Sequence, residues 1–190
     1  TRILAIWNQR DPTGPSPNKV DPAFPQSLGT LHLQGALQQV IADAVAGLAQ
    51  PHWMLRDGGD GHGTHVAGIA AGGGTAVLGP GMAPEAGIVL VIPNHMAVAG
   101  DPSSLGYAMA HLDALAFLKR VAAGGTVVSG PAHPMAVNIS SGMNAGAHDG
   151  TSALERAIND LVEQGSEPGF VIVKSAGNEQ DNAGHASTTV

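Results

Sequence analysis

The chain contains no cysteine. A disulfide scaffold, thiolate catalysis and a zinc–thiolate site are therefore excluded. Aromatic residues make up only 3% of the sequence, so the core must be built from Ala, Val, Leu and Ile, packed closely through 27 glycines. Charge is also scarce, at 12% of residues. The formal net charge of -7, without any Lys/Arg run, argues against nucleic acid as a main partner. No apolar run approaches the ~20 residues needed to span a bilayer, so a membrane is not expected as a partner. What is present is 43% hydrophobic residues over 190 positions. That balance suits a compact globular enzyme, one domain or most of one, and not a disordered segment.

The chain opens at Thr1-Arg2-Ile3-Leu4, without Met and already strand-like, which reads as a cut inside a longer polypeptide. Ile3 to Trp7 forms the first expected strand. A Pro/Gly-rich loop follows, extending to about Pro25. Leu33, Leu37, Val40, Ile41, Ala44, Val45 and Leu48 recur at helical spacing. His62 to Ala71 predicts a second helix, Gly87 to Ile92 a buried strand, and Leu105 to Leu118 a third helix. Met135 to Ile139 is the next strand, Leu154 to Val162 another helical stripe, and Phe170 to Val173 the last strand. This alternation implies α/β architecture: a mostly parallel sheet flanked by helices on both faces. Such sheets place their sites at the carboxyl ends of strands. Ser140-Ser141-Gly142 and Ser175-Ala176-Gly177-Asn178 each follow directly on an expected strand.

Two segments stand out chemically. Asp60-Gly61-His62-Gly63-Thr64-His65-Val66-Ala67-Gly68-Ile69 sets a histidine among glycines at the start of a small-residue helix. Phe170 to Lys174, then Ser175-Ala176-Gly177-Asn178-Glu179, sets an asparagine in the turn after an apolar strand. Bland readings exist for both: a histidine capping a turn, and an asparagine that tolerates a left-handed turn after Gly177. In this order, however, the two segments resemble the histidine and asparagine motifs of the subtilisin-like serine proteases, the subtilases. The resemblance implies serine-type endopeptidase chemistry on a protein or peptide substrate. His62 would be the general base, and Asn178 would donate to the oxyanion of a tetrahedral intermediate. His65, three residues on, reads as packing support. Val137-Asn138-Ile139-Ser140-Ser141-Gly142 resembles the strand end that lines the family's pocket for the substrate side chain before the scissile bond. Ser175-Ala176-Gly177 would form the second wall, and an extended peptide would pair with this backbone. The plain alternative is an ordinary strand and turn. The family usually carries a larger apolar residue where Ser141 stands.

The resemblance extends to Met82-Ala83-Pro84-Glu85-Ala86, similar to the turn into the next strand. Ile6-Trp7-Asn8-Gln9 and the stretch Ala147 to Glu155 look like the bacterial branch that includes the spore-germination proteases. Residues 1–190 would then be a partial peptidase domain. The Asp motif would lie upstream and the Ser motif downstream, so the chain alone is expected to be inactive. Asp11, in Asp11-Pro12-Thr13-Gly14, is a lookalike of the Asp motif with an inserted proline. Ser152, in Gly150-Thr151-Ser152-Ala153, imitates the serine motif but precedes the asparagine motif and is followed by Leu154-Glu155, a capping-box pattern.

No cofactor is expected for the chemistry. Structural calcium is conceivable at Asp57, Asp60 or Asp181, although their spacing is irregular. A zinc site at Asp60, His62 and His65 lacks the spacing of a zincin helix. The glycine runs at 72–74 and 79–81 match no nucleotide-binding pattern. The alternative from another class is a catalytically inactive pseudoprotease or peptide-binding module that keeps the cleft without the chemistry.

Overall fold

A computed structural model describes residues 1–49, 61–94, 104–142, 148–162 and 168–178. The chain divides into two compact units, Thr1–Asn94 with Gly125–Gly130, and His95–Gly124 with Pro131–Val190.

In the first unit, β1 (Ile3–Asn8) is the middle strand of a three-stranded sheet. It pairs antiparallel with β2 (Thr30–Leu33) and parallel with β3 (Ile88–Ile92). Ala5 and Trp7 alternate with Ile6 and are fully buried, as the period of two requires for a half-covered strand. Trp7 resolves its one polar atom by donating Nε1 to Leu28 O at 3.1 Å. The return into β2 needs a glycine: Gly29 has φ +70°, and a β-carbon there would collide with Asn8 O.

β2 lies where hydrophobic spacing alone places the start of a helix. Leu33 pairs with Ala5 in the sheet, and helix α2 begins one residue later, at Gln34–Val45. Of the expected helical stripe, Leu37 is buried, while Ile41, Val45 and Leu48 are exposed. The loop expected as far as Pro25 contains a single helical turn, α1 (Pro17–Val20), opened by proline at the position where a missing N–H costs nothing.

Helix α3 (His62–Ala71) has no buried residue and is held through its backbone. A helix ends with four carbonyls that lack partners inside it. Here Ile69 O accepts from Met82 N and Ala70 O from Ala83 N, both at 2.9 Å. Ala71 O accepts from the Arg2 guanidinium at 2.6 Å, and Gly72 O accepts from Gly81 N at 2.9 Å. Arg2 also donates to Ala86 O at 2.7 Å, tying β1, α3 and the approach to β3 together.

In the second unit, α4 (Ser104–Ala122) buries Ala110, Leu115, Phe117, Leu118, Val121 and Ala122, and packs against α5 (Ala153–Leu161). Two strands, β4 (Met135–Ile139) and β5 (Phe170–Lys174), pair in parallel, with α5 between them in sequence. Such a pair needs a long crossover, and α5 supplies it. Phe170 is buried with Lys119 Nζ 4.7 Å from its ring centroid, a cation–π contact. The α/β class expected from the sequence holds, and two of the three strand pairings among the described residues are parallel. The described strands form two small sheets in place of one.

Candidate active site

His62 is the first residue of α3, as its position before an apolar small-residue run predicts. The residue before it, Gly61, adopts φ 73°, ψ 10°, a left-handed conformation that disfavours a side chain. Its carbonyl accepts from His65 N at 2.9 Å and starts the helical ladder. His62, Gly63, Thr64 and His65 are all exposed. The opposite end of the helix is fixed by Arg2 and by residues 81–83, so α3 holds His62 from its far end.

The remaining candidates lie in the second unit, at the carboxyl ends of β4 and β5. The register pairs Asn138 with Val173 and Ile139 with Lys174. Ser175 N donates to Ile139 O at 3.0 Å, which extends the ladder one step beyond the strands. The structure thereby brings Ser140, Ser141 and Gly142 alongside Ser175, Ala176 and Gly177. Asn138 Nδ2 donates to Ser140 Oγ at 2.9 Å and fixes that hydroxyl. Gly177 has φ 97°, so the chain turns there through a conformation that favours glycine, and Asn178 follows in an exposed position. His62 belongs to the first unit, and Asn178 to the second.

Two lookalikes are accounted for by local structure. Asp11 is buried, and its Oδ1 accepts from Thr13 N at 3.0 Å and Thr13 Oγ1 at 2.6 Å. Its Oδ2 faces His32 Nε2 at 3.6 Å. Burial works to raise the Asp11 pKa, but the Thr13 hydrogen bonds, His32 and Thr30 outweigh it and hold the carboxyl below its usual range. Burial lowers the His32 pKa, and the neighbouring Asp11 charge offsets only part of that. Asp11 organises a loop in this structure. Ser152 begins α5 with a complete capping box: its Oγ accepts from Glu155 N at 3.3 Å, and Glu155 Oε2 accepts from Ser152 N at 3.0 Å.

Among the described residues, no group of three His, Asp or Glu side chains is arranged to hold a metal ion. Asp57, Asp60 and Asp181, weighed for calcium, lie outside the described residues. No described helix is long and apolar enough to cross a membrane. Sequence reading missed one residue of this site. Lys174 closes β5, and its Nζ donates to Ser141 O at 2.9 Å and to Ser175 O at 3.4 Å. Ser175 is the next residue, but only the β4–β5 register brings Ser141 to Lys174, and no local pattern announces it.

The chain is α/β, with a histidine opening a glycine-flanked helix and loops side by side at the ends of parallel strands. The structure is similar to that of the CspB protease of Clostridium perfringens. The TM-score is 0.55 at 23% identity, with 94% of this chain and 32% of that chain covered. At that identity the likeness is one of fold, and this chain spans about a third of the CspB chain. The subtilase family model matches residues 49–190. The chain belongs to the subtilase family. No curated protein matches it.

Proposed function

We propose that residues 1–190 are part of a serine-type endopeptidase that cleaves protein or peptide substrates through an acyl-enzyme. The observation that carries this reading is the family match over residues 49–190, which contains both the His62 and Asn178 motifs. In this reading the acid and the nucleophilic serine come from chain outside residues 1–190. The serine hydroxyl adds to the scissile carbonyl while His62 takes its proton. The carbonyl oxygen becomes an oxyanion and accepts a hydrogen bond from the Asn178 side-chain amide. When the carbonyl reforms, the C–N bond breaks and His62 passes its proton to the leaving amine. Water, deprotonated by His62, then attacks the acyl-enzyme, and the serine leaves with the returned proton. Ser140–Gly142 and Ser175–Gly177 hold the substrate on either side of the residue before the cleaved bond.

The test uses the protein with the acid and serine present. His62→Ala should abolish turnover and fluorophosphonate labelling. Asn178→Ala should lower kcat by about 10²–10³ with little change in KM, because an oxyanion donor acts mainly on the transition state. An Asn178→Ala enzyme with raised KM and unchanged kcat would move Asn178 to substrate binding or turn structure. Residues 1–190 alone should leave casein intact. Robust turnover by them, abolished in His62→Ala, would show that the acid and nucleophile lie within them.

A further inference from the structure

The geometry points to Lys174 as a specificity-determining residue that selects an acidic side chain at the substrate position before the cleaved bond. This rests on the reading above, in which Ser140–Gly142 and Ser175–Gly177 flank that position. The Lys174 ammonium sits at the seam between the two segments, donating to Ser141 O at 2.9 Å and Ser175 O at 3.4 Å. An ammonium has three donors and no acceptor, so two backbone carbonyls leave one N–H to offer. Among the described residues no carboxylate lies within ion-pair distance of it.

The two segments that flank it carry no charge of their own. Ser140, Ser141, Gly142, Ser175, Ala176 and Gly177 are all neutral, and Asn138, the nearby amide, is engaged with Ser140 Oγ. Lys174 is exposed, so a ligand reaches the ammonium without displacing protein. The two carbonyl tethers restrict where the charge goes, which lowers the ordering cost of meeting a carboxylate. A substrate Glu or Asp at this position would accept the third N–H as a charge-assisted hydrogen bond. A neutral amide of the same shape would lose the charge component, and a substrate Lys would be repelled. Hydrogen bonds to charged groups are worth roughly ten- to a hundredfold in affinity, and solvent exposure places this one near tenfold. The net charge of -7 repels acidic peptides at long range. The preference is therefore read at about 0.15 M salt, where that repulsion is screened beyond about 8 Å.

The experiment compares four peptides that differ only at the residue before the cleaved bond: Glu, Gln, Leu or Lys. Their affinity is measured by fluorescence anisotropy on the His62→Ala form of the protein carrying acid and serine, and their kcat/KM on its parent. The Glu peptide should exceed the Gln peptide by about tenfold in both. Lys174→Met should erase that difference, and Lys174→Glu should shift preference to the Lys peptide. Lys174→Arg should retain the acid preference and shows that charge, not shape, sets it. Equal affinity for Glu and Gln peptides, or an acid preference that survives Lys174→Glu, overturns the assignment. Cleavage without acid preference also overturns it and leaves the peptidase reading standing. Acid-selective binding that follows Lys174, without cleavage of any peptide, supports the assignment and ends the peptidase reading.

Discussion

Replacing Gly81 by alanine should unseat the carboxyl end of the helix that carries His62. A β-carbon at position 81 would lie 2.6 Å from Gly68 O, 2.7 Å from Gly72 N and 2.8 Å from Ile69 O. All three are backbone atoms, so no side-chain rotation relieves the overlap. Segment 81–83 must retreat, and with it go three hydrogen bonds of 2.9 Å: Gly81 N to Gly72 O, Met82 N to Ile69 O, and Ala83 N to Ala70 O. Each such bond contributes about 0.5–1.5 kcal/mol net. Met82 and Ala83 are exposed, so water replaces part of the loss. The sum falls in the lower part of its range, at about 2 kcal/mol. Gly79→Ala is the control, because a β-carbon there meets nothing within 4 Å. It should stay within about 0.5 kcal/mol of the parent. Urea unfolding followed by circular dichroism gives the stability, and amide hydrogen exchange at Met82 and Ala83 locates the damage. A Gly81→Ala protein as stable as Gly79→Ala, with both amides still protected, would refute the account of how α3 is held.

Ser152→Ala should cost about 0.5–2 kcal/mol of stability through loss of the α5 cap. A fluorophosphonate probe should leave Ser152 unmodified in tryptic mass spectra, and labelling there that disappears in His62→Ala would make it a nucleophile. The Asp11–His32 pair should make the first unit weaken in acid. His32 titrates below its ordinary 6.5 when folded, so the unfolded chain binds more protons and stability falls as pH drops below that value. Asp11, also held below its ordinary 3.8, adds stability above that value, lost as pH falls through its folded pKa. Urea midpoints of His32→Gln between pH 7 and 5 should be flatter than those of the parent, and equal slopes would show that His32 does not drive the fall. Gly35→Ala, in the first turn of α2 with no atom within 4 Å of its added carbon, should stabilise by up to about 1 kcal/mol, measured the same way.

The sequence discloses those parts of the fold whose determinants are local. β1, β3, β4 and β5 are apolar runs, the last three bounded by Pro, Gly or Ser, and α5 carries both a capping box and a clean apolar stripe. β2 escapes because Thr30–Leu33 is short and Leu33 also fits the helical period, and its pairing with Ala5 decides the matter through tertiary contact. The exposure of Ile41, Val45 and Leu48 is likewise not written in their spacing, which is that of a buried face. At the site, His62 and Asn178 are marked by the glycines and small residues around them. Arg2 and Lys174 are not: Arg2 reaches Ala71 and Ala86, Lys174 reaches back to Ser141, and a distant backbone carbonyl carries no side-chain signature.

The Arg2 staple bears on the order in which the chain is made. Its two acceptors lie 69 and 84 residues further on, at Ala71 and Ala86. At roughly 5–20 residues per second, the ribosome takes about 4–17 s to deliver the second of them. A hairpin such as β1–β2 closes in about 1–10 μs. β1 therefore gains its antiparallel neighbour as soon as β2 has been made and then waits, one edge unpaired, through the synthesis of α2 and α3. An open strand edge is a template for pairing with another chain. The central strand of the first unit is thus the one completed late, and on the translating ribosome its Ile- and Trp-bearing edge is the segment in need of protection until β3 emerges.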